Sequence, residues 1–72
     1  MANRSELRAL ANELRHAPTR HVPMDVVERV QHTLVKIEEL LGSAALEPAE
    51  AEALYTTGKQ LLDYCNQFVA KI

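Results

Sequence analysis

The stretch LLGSAALEP, residues 40–48, decides the fold of this chain, because it separates two long helical patterns by only a few residues. Gly42 is expected to end the preceding helix as a left-handed C-cap, and Pro48 is tolerated in the first turn of the next helix. Leu46 lies just before that turn, where it can act as a hydrophobic staple. A link this short predicts an antiparallel helical hairpin.

The helix before the link is predicted over residues 23–41. Pro23 fits its first turn, and Asp25 places a favourable negative charge near its N-terminus. Apolar residues recur there in steps of three and four, which is a heptad seam. The members of this seam are Val27, Val30, Leu34, Ile37 and Leu41.

The helix after the link is predicted over residues 48–71, and its apolar face is unusually wide. One line of this face consists of Ala51, Leu54, Gly58, Leu61, Cys65, Phe68 and Ile72. A second line consists of Tyr55, Leu62 and Val69. Together they cover an arc of roughly 140°, more than one packing helix needs.

The excess apolar surface predicts a homo-oligomer, with a homodimer as the simplest form. Gly58 lacks a side chain and would let another backbone come close, which offsets the cost of about 1 kcal/mol that glycine carries inside a helix. The predicted oligomer interface consists of Gly58, Leu61, Cys65 and Phe68.

A shorter helix is predicted at the N-terminal side, over residues 5–16. Asn3 or Ser5 can cap it, and Asn3 followed by Glu6 resembles a capping box. Leu7, Leu10, Ala11 and Leu14 line one face of this helix. Pro18 ends it, and residues 17–23 then form a stiff connector.

Length and cysteine content complete the prediction of the fold. A chain of 72 residues allows one domain, and its core is marginal because a small chain buries only about 60% of its unfolded surface. The single cysteine excludes an internal disulfide and is typical of a reducing cytoplasm. We therefore predict one all-α domain over residues 1–72, a short helix plus a long hairpin, which completes a helical bundle by homo-oligomerisation.

Composition argues against membranes and nucleic acid as partners. No apolar run reaches the roughly 18 residues that a membrane span needs, and the charged start does not resemble a signal peptide. The net charge of −2 disfavours phosphate binding. A helix-turn-helix interpretation of residues 5–41 is disfavoured for a similar reason, because its second helix would present mostly acidic side chains to DNA.

No pattern of residues indicates catalysis. The chain lacks a Gly-rich phosphate loop and a nucleophile elbow. Cys65 falls in the apolar seam, where a thiol usually packs as a small hydrophobic group. The histidines and this cysteine follow no zinc-ligand spacing. We expect no enzyme, no cofactor and no metal.

Two arginines and two histidines gather just before the predicted N-terminus of the second helix, and they are Arg15, His16, Arg20 and His21. Free N–H groups at the following helix N-terminus favour anions, so a phosphate, a nucleotide or an acidic protein surface can bind there. Pro23 removes one donor, and Asp25 opposes an anion. A solvated basic loop without a ligand is the competing interpretation.

Tyrosines and glutamates supply the candidate contacts with a protein partner. Tyr64 lies on the shoulder of the wide apolar arc, a position typical of contact hot spots, and Tyr55 belongs to the second apolar line. The competing interpretation is that Tyr64 covers the edge of the core with its hydroxyl group in water. Residues 38–52 contain five glutamates and no basic residue. The predicted partner-binding residues are Tyr64, Tyr55, Glu38 and Glu39.

These features favour a small cytoplasmic interaction protein that binds a larger protein or assembly and inhibits or otherwise modulates it. By architecture, a helical hairpin that pairs with its copy is similar to small plasmid and phage regulators. A second hypothesis is an oligomer whose basic loops bind a small anionic ligand such as a nucleotide. A third is a nucleic-acid-associated regulator.

Overall fold

The computed structural model of the protein describes residues 3–70, which fold into three α-helices: α1 (Arg4–Arg15), α2 (Met24–Gly42) and α3 (Pro48–Ala70). The predicted all-helical class is confirmed, and no strand occurs within the described range. Helices α1 and α2 lie one residue away from their predicted ranges. Residue 71 and Ile72, which the predicted pattern of α3 includes, lie outside the described residues.

Helix α1 begins at the predicted cap. The Asn3 side chain accepts a hydrogen bond from the backbone N–H of Glu6 at 2.9 Å, which satisfies one free donor of the first turn. The apolar face of α1 is fully covered by the hairpin. Its buried residues are Leu7, Leu10, Ala11 and Leu14.

The end of α2 differs from the prediction. Gly42 is the last helical residue and has a negative φ, so the expected left-handed C-cap was wrong. Ser43 ends the helix instead, because its backbone is extended (φ −76°, ψ 144°). The Arg4 guanidinium donates hydrogen bonds to the carbonyls of Leu41 (2.7 Å) and Ser43 (2.8 Å). A cation there complements the negative end of the helix dipole.

The core lies where α1 packs across both helices of the hairpin. Helices α2 and α3 contribute Val30, Ile37, Leu40, Ala51 and Cys65 to it, and Val22 joins from the connector. Together with the leucines of α1, these residues form one contiguous cluster. The single core requires all three helices, because each helix contributes only one side of it.

Gly58 marks a close approach between helices, but the neighbour is α1 of the same chain. A Cβ atom at this position would lie 2.7 Å from Leu10 Cδ2 and 3.4 Å from Leu14 Cδ1. Cys65 is likewise fully buried inside the chain. Two members of the predicted oligomer interface, Gly58 and Cys65, are therefore buried within the chain, while Leu61 and Phe68 remain half-buried.

We expect Gly58→Ala to lower the free energy of unfolding by about 1 kcal/mol, because overpacking against Leu10 outweighs the gain in helix propensity. Gly58→Leu should lower it by about 3 kcal/mol. Gly42→Ala is the matched control, since no atom lies within 4 Å of its Cβ position, and it should not lower stability. Urea unfolding followed by circular dichroism measures all three variants. Equal stability of the two alanine variants would contradict the close approach.

Candidate interaction groove between the second and third helices

A groove of about 900 Å³ runs between α2 and α3, and no residue of α1 lines it. Its α2 wall consists of Asp25, Val26, Glu28, Arg29, His32 and Thr33. Its α3 wall consists of Thr57, Gln60, Leu61 and Tyr64. This groove, called the α2–α3 groove below, is larger than a second crevice of about 320 Å³ beside Val27.

Helical spacing explains how the two walls arise. On α2, Asp25, Glu28 and His32 recur at intervals of three and four residues, so they share one face. On α3, Thr57 and Tyr64 lie two turns apart and share a face in the same way. Because the hairpin is antiparallel, the start of α2 lies beside the end of α3 and brings the two faces together.

The groove combines an apolar floor with polar edges. Thr33 is buried, whereas Val26 and Leu61 are half-buried and keep some accessible surface. Tyr64 is 46% exposed, and its ring stacks on Phe68 with centroids 6.2 Å apart and planes at 21°. A large aromatic ring held over accessible apolar groups is typical of a protein contact surface.

The structure separates the two tyrosines that sequence reasoning grouped together. They are nine residues apart on α3, which places them on opposite sides of the helix, about 180° apart. Tyr55 is half-buried and packs against the core. Of the two, only Tyr64 lines the α2–α3 groove.

The candidate acidic residues lie outside the groove. Glu38 accepts a hydrogen bond from the Arg15 guanidinium at 2.8 Å, and both side chains of this ion pair are about half exposed. Glu39 is the next residue on α2 and is exposed. The structure thus brings one candidate partner-binding residue together with one candidate anion-binding residue, and it leaves Tyr64 apart from both.

The four basic candidates between the end of α1 and the start of α2 have separate surroundings. His16 caps the end of α1, with its Nδ1 atom 2.9 Å from the Asn12 carbonyl oxygen. Arg15 pairs with Glu38 and lines a smaller crevice of about 320 Å³ beside Val27. Arg20 and His21 are exposed and line neither cavity. The four side chains do not converge on one position.

Cys65 behaves as a core residue. Desolvation by burial raises the pKa of its thiol above the ordinary value, so the nucleophilic thiolate is disfavoured. Within residues 3–70, no three His, Cys, Asp or Glu side chains come together in a way that would hold a metal ion.

Sequence reasoning missed the charged wall of the groove. Asp25 was considered only as a helix-dipole charge, and Glu28, Arg29 and His32 were not treated as site residues. Their helical spacing on one face of α2 was the available signal. It identifies a shared face, but only the register of the hairpin places that face opposite Tyr64.

Comparison of the chain with protein-family models, with curated proteins and with solved structures gave no match. None of the helices formed by residues 3–70 is both long and apolar enough to cross a membrane. The function is therefore inferred from the groove itself.

We expect the Cys65 thiol to react with a thiol reagent only when the chain unfolds, because it is fully buried and its pKa is raised. Labelling should be slow in buffer and become fast in urea above the unfolding midpoint. An Asn66→Cys, Cys65→Ala variant supplies the control, since residue 66 is exposed on the same helix. Rapid labelling of native Cys65 at the rate of this control would show that the core opens locally.

His21 adopts a positive φ of 69° in the turn that is closed by a hydrogen bond from Val22 N–H to Thr19 O (3.2 Å). A side chain in this conformation costs roughly 1–2 kcal/mol, so His21→Gly should raise the free energy of unfolding by up to about 1 kcal/mol. His21→Val should lower it, because a β-branched residue tolerates this φ least.

Arg20→Gly is the control for the His21 substitutions, because Arg20 has no positive φ. Its free energy of unfolding should fall by about 0.5–1 kcal/mol, because glycine increases the backbone entropy of the unfolded chain. Thermal unfolding compares the variants. The strain at His21 would be disproved if both glycine substitutions destabilise the chain equally.

Proposed function

We propose that this protein is a non-catalytic helical interaction module that binds a larger protein through the α2–α3 groove and modulates it, in the manner of small bacterial and phage regulators that inhibit larger assemblies. The observation that carries this proposal is the uncovered groove, which a half-exposed Tyr64 lines together with the accessible apolar residues Val26 and Leu61. A small chain gains most from burying such a surface against another protein.

The groove fits an amphipathic helix of the partner. Its α2 wall extends from Asp25 to Thr33, a length of about 12 Å or two helical turns. Apolar residues of the partner helix would cover Val26, Leu61 and Tyr64. Basic groups would face the acidic end of the wall, and acidic groups would face Arg29. This is the helix-in-groove mode of recognition.

The groove is preferred to the other candidate surfaces for a physical reason. Glu38 and Arg15 already form an ion pair with each other, and an exposed ion pair of this kind contributes little to the energy of binding another protein. Arg20 and His21 are exposed and line neither cavity. A hot spot needs accessible apolar surface that loses its water on binding, and the half-exposed side chain of Tyr64 provides such surface.

The experiment replaces Tyr64 with a photo-cross-linking phenylalanine analogue in cells that express the full chain. We expect an adduct with a larger protein, which mass spectrometry identifies. The matched control carries the same analogue at Glu13, an exposed position on α1 outside the groove, and should not form that adduct.

The captured protein is then purified and its Kd is measured directly. Tyr64→Ala should weaken binding at least about tenfold, which corresponds to 1.4 kcal/mol and is ordinary for a hot spot. Glu13→Ala should change it by less than about twofold. The proposal fails if Tyr64→Ala binds as the parent does, or if position 64 cross-links only to a second copy of the chain.

A further inference from the structure

The charges on the α2 wall of the groove follow a symmetric order. Reading along α2, two acidic residues are followed by two basic ones: Asp25, Glu28, Arg29 and His32. This order is symmetric about the midpoint between residues 28 and 29, because Glu28 and Arg29 are equally far from it along the sequence, and so are Asp25 and His32. All four side chains are exposed, and all four line the groove.

Pairing within α2 does not account for this order. Asp25 and Arg29, and likewise Glu28 and His32, are four residues apart, a spacing at which ion pairs form along a helix. Neither pair is formed, and none of the four side chains has a hydrogen-bond or ion-pair partner within residues 3–70. The groove therefore presents unpaired charges of both signs.

We infer that the α2–α3 groove binds a second copy of this chain, with the two α2 helices antiparallel and a twofold axis passing between residues 28 and 29. In this arrangement, Glu28 of each copy faces Arg29 of the other, and Asp25 faces His32. Every contact occurs twice, as in any isologous interface. A parallel arrangement would instead place acid against acid and base against base.

The apolar part of the groove supplies the remaining requirement of an interface. Val26 and Leu61 are half-buried and Tyr64 is 46% exposed, so a second copy would cover surface that the chain alone leaves in water. The charges then fix the orientation and register of the two helices, which is their usual role between proteins. In this arrangement, the second copy covers the part of the wide apolar face of α3 that borders the groove, and Gly58 takes no part in the contact.

This inference rests on the proposed function, because it takes the same groove to be a helix-binding surface. It adds regulation to that site: a second copy and the larger partner compete for one groove. Dimerisation would thus hold the chain in a form that cannot bind the partner until the concentration falls or the partner is abundant.

The test uses two charge reversals that are matched to each other, Glu28→Arg and Arg29→Glu, in the full chain. We expect the parent to sediment as a dimer at micromolar concentration. Each variant alone should dimerise at least about tenfold more weakly, because like charges then face each other across the axis. An equimolar mixture should dimerise about as tightly as the parent, since each arginine again faces a glutamate.

The controls carry the same changes on α1, away from the groove. Glu13→Arg and Arg8→Glu are exposed there and should leave the dimerisation constant of the parent unchanged. Circular dichroism should show the same helical signal for all variants, because glutamate and arginine have similar helix propensities. Recovery in the mixture is also independent of folding defects, since two misfolded chains would not restore each other.

Two results would overturn the inference: a parent chain that remains monomeric at micromolar concentration, or a mixture that associates no better than its components. A monomeric parent whose Tyr64 still cross-links to a larger protein would refute the inference and leave the proposed function standing. A dimer that obeys the charge-reversal rule, with no larger protein captured at Tyr64, would support the inference and refute the proposed function.

Discussion

The insertion of Leu10 and Leu14 beside Gly58 is the contact on which the arrangement of the three helices depends. A Cβ atom at position 58 would lie 2.7 Å from Leu10 Cδ2, so any residue other than glycine would force the Leu10 side chain to shift. Arg4 fixes the other end of α1 by binding the last carbonyls of α2. With both contacts in place, α1 closes one side of the hairpin and leaves the other side open.

The wide apolar face of α3 therefore serves two purposes. Gly58 and Cys65 point into the core beneath α1, whereas Leu61 and Tyr64 border the open groove. A single packing surface would not need so broad an arc, and a chain of this size gains from burying the remainder against another helix. The groove is open because α1 packs on only one side of the hairpin.

Local signals were sufficient to predict the three helices, because periodicity, Asn3 and Pro48 act within one or two turns of the chain. They could not identify what fills the space beside Gly58, since periodicity shows which face is apolar and not which helix covers it. The end of α2 was mispredicted for a similar reason. The carbonyl group of Leu41 accepts a hydrogen bond from Arg4, 37 residues away in the sequence, and so does not need the hydrogen bonds of a glycine C-cap. Tyr64 was predicted as a contact residue from its shoulder position on α3. The charged residues of the α2 wall could not be predicted to lie opposite it, because that placement depends on the register of the hairpin.

The contact between α1 and Gly58 also has a consequence for the order of events during synthesis. Helix α1 is synthesised before α3, yet its leucines contact Gly58 on α3. At about 5–20 residues per second, the apolar side of α1 stays in contact with water for several seconds before α3 emerges. The nascent chain thus passes through a stage in which α1 is an uncovered amphipathic helix, open to capture by whatever binds such helices at the tunnel exit.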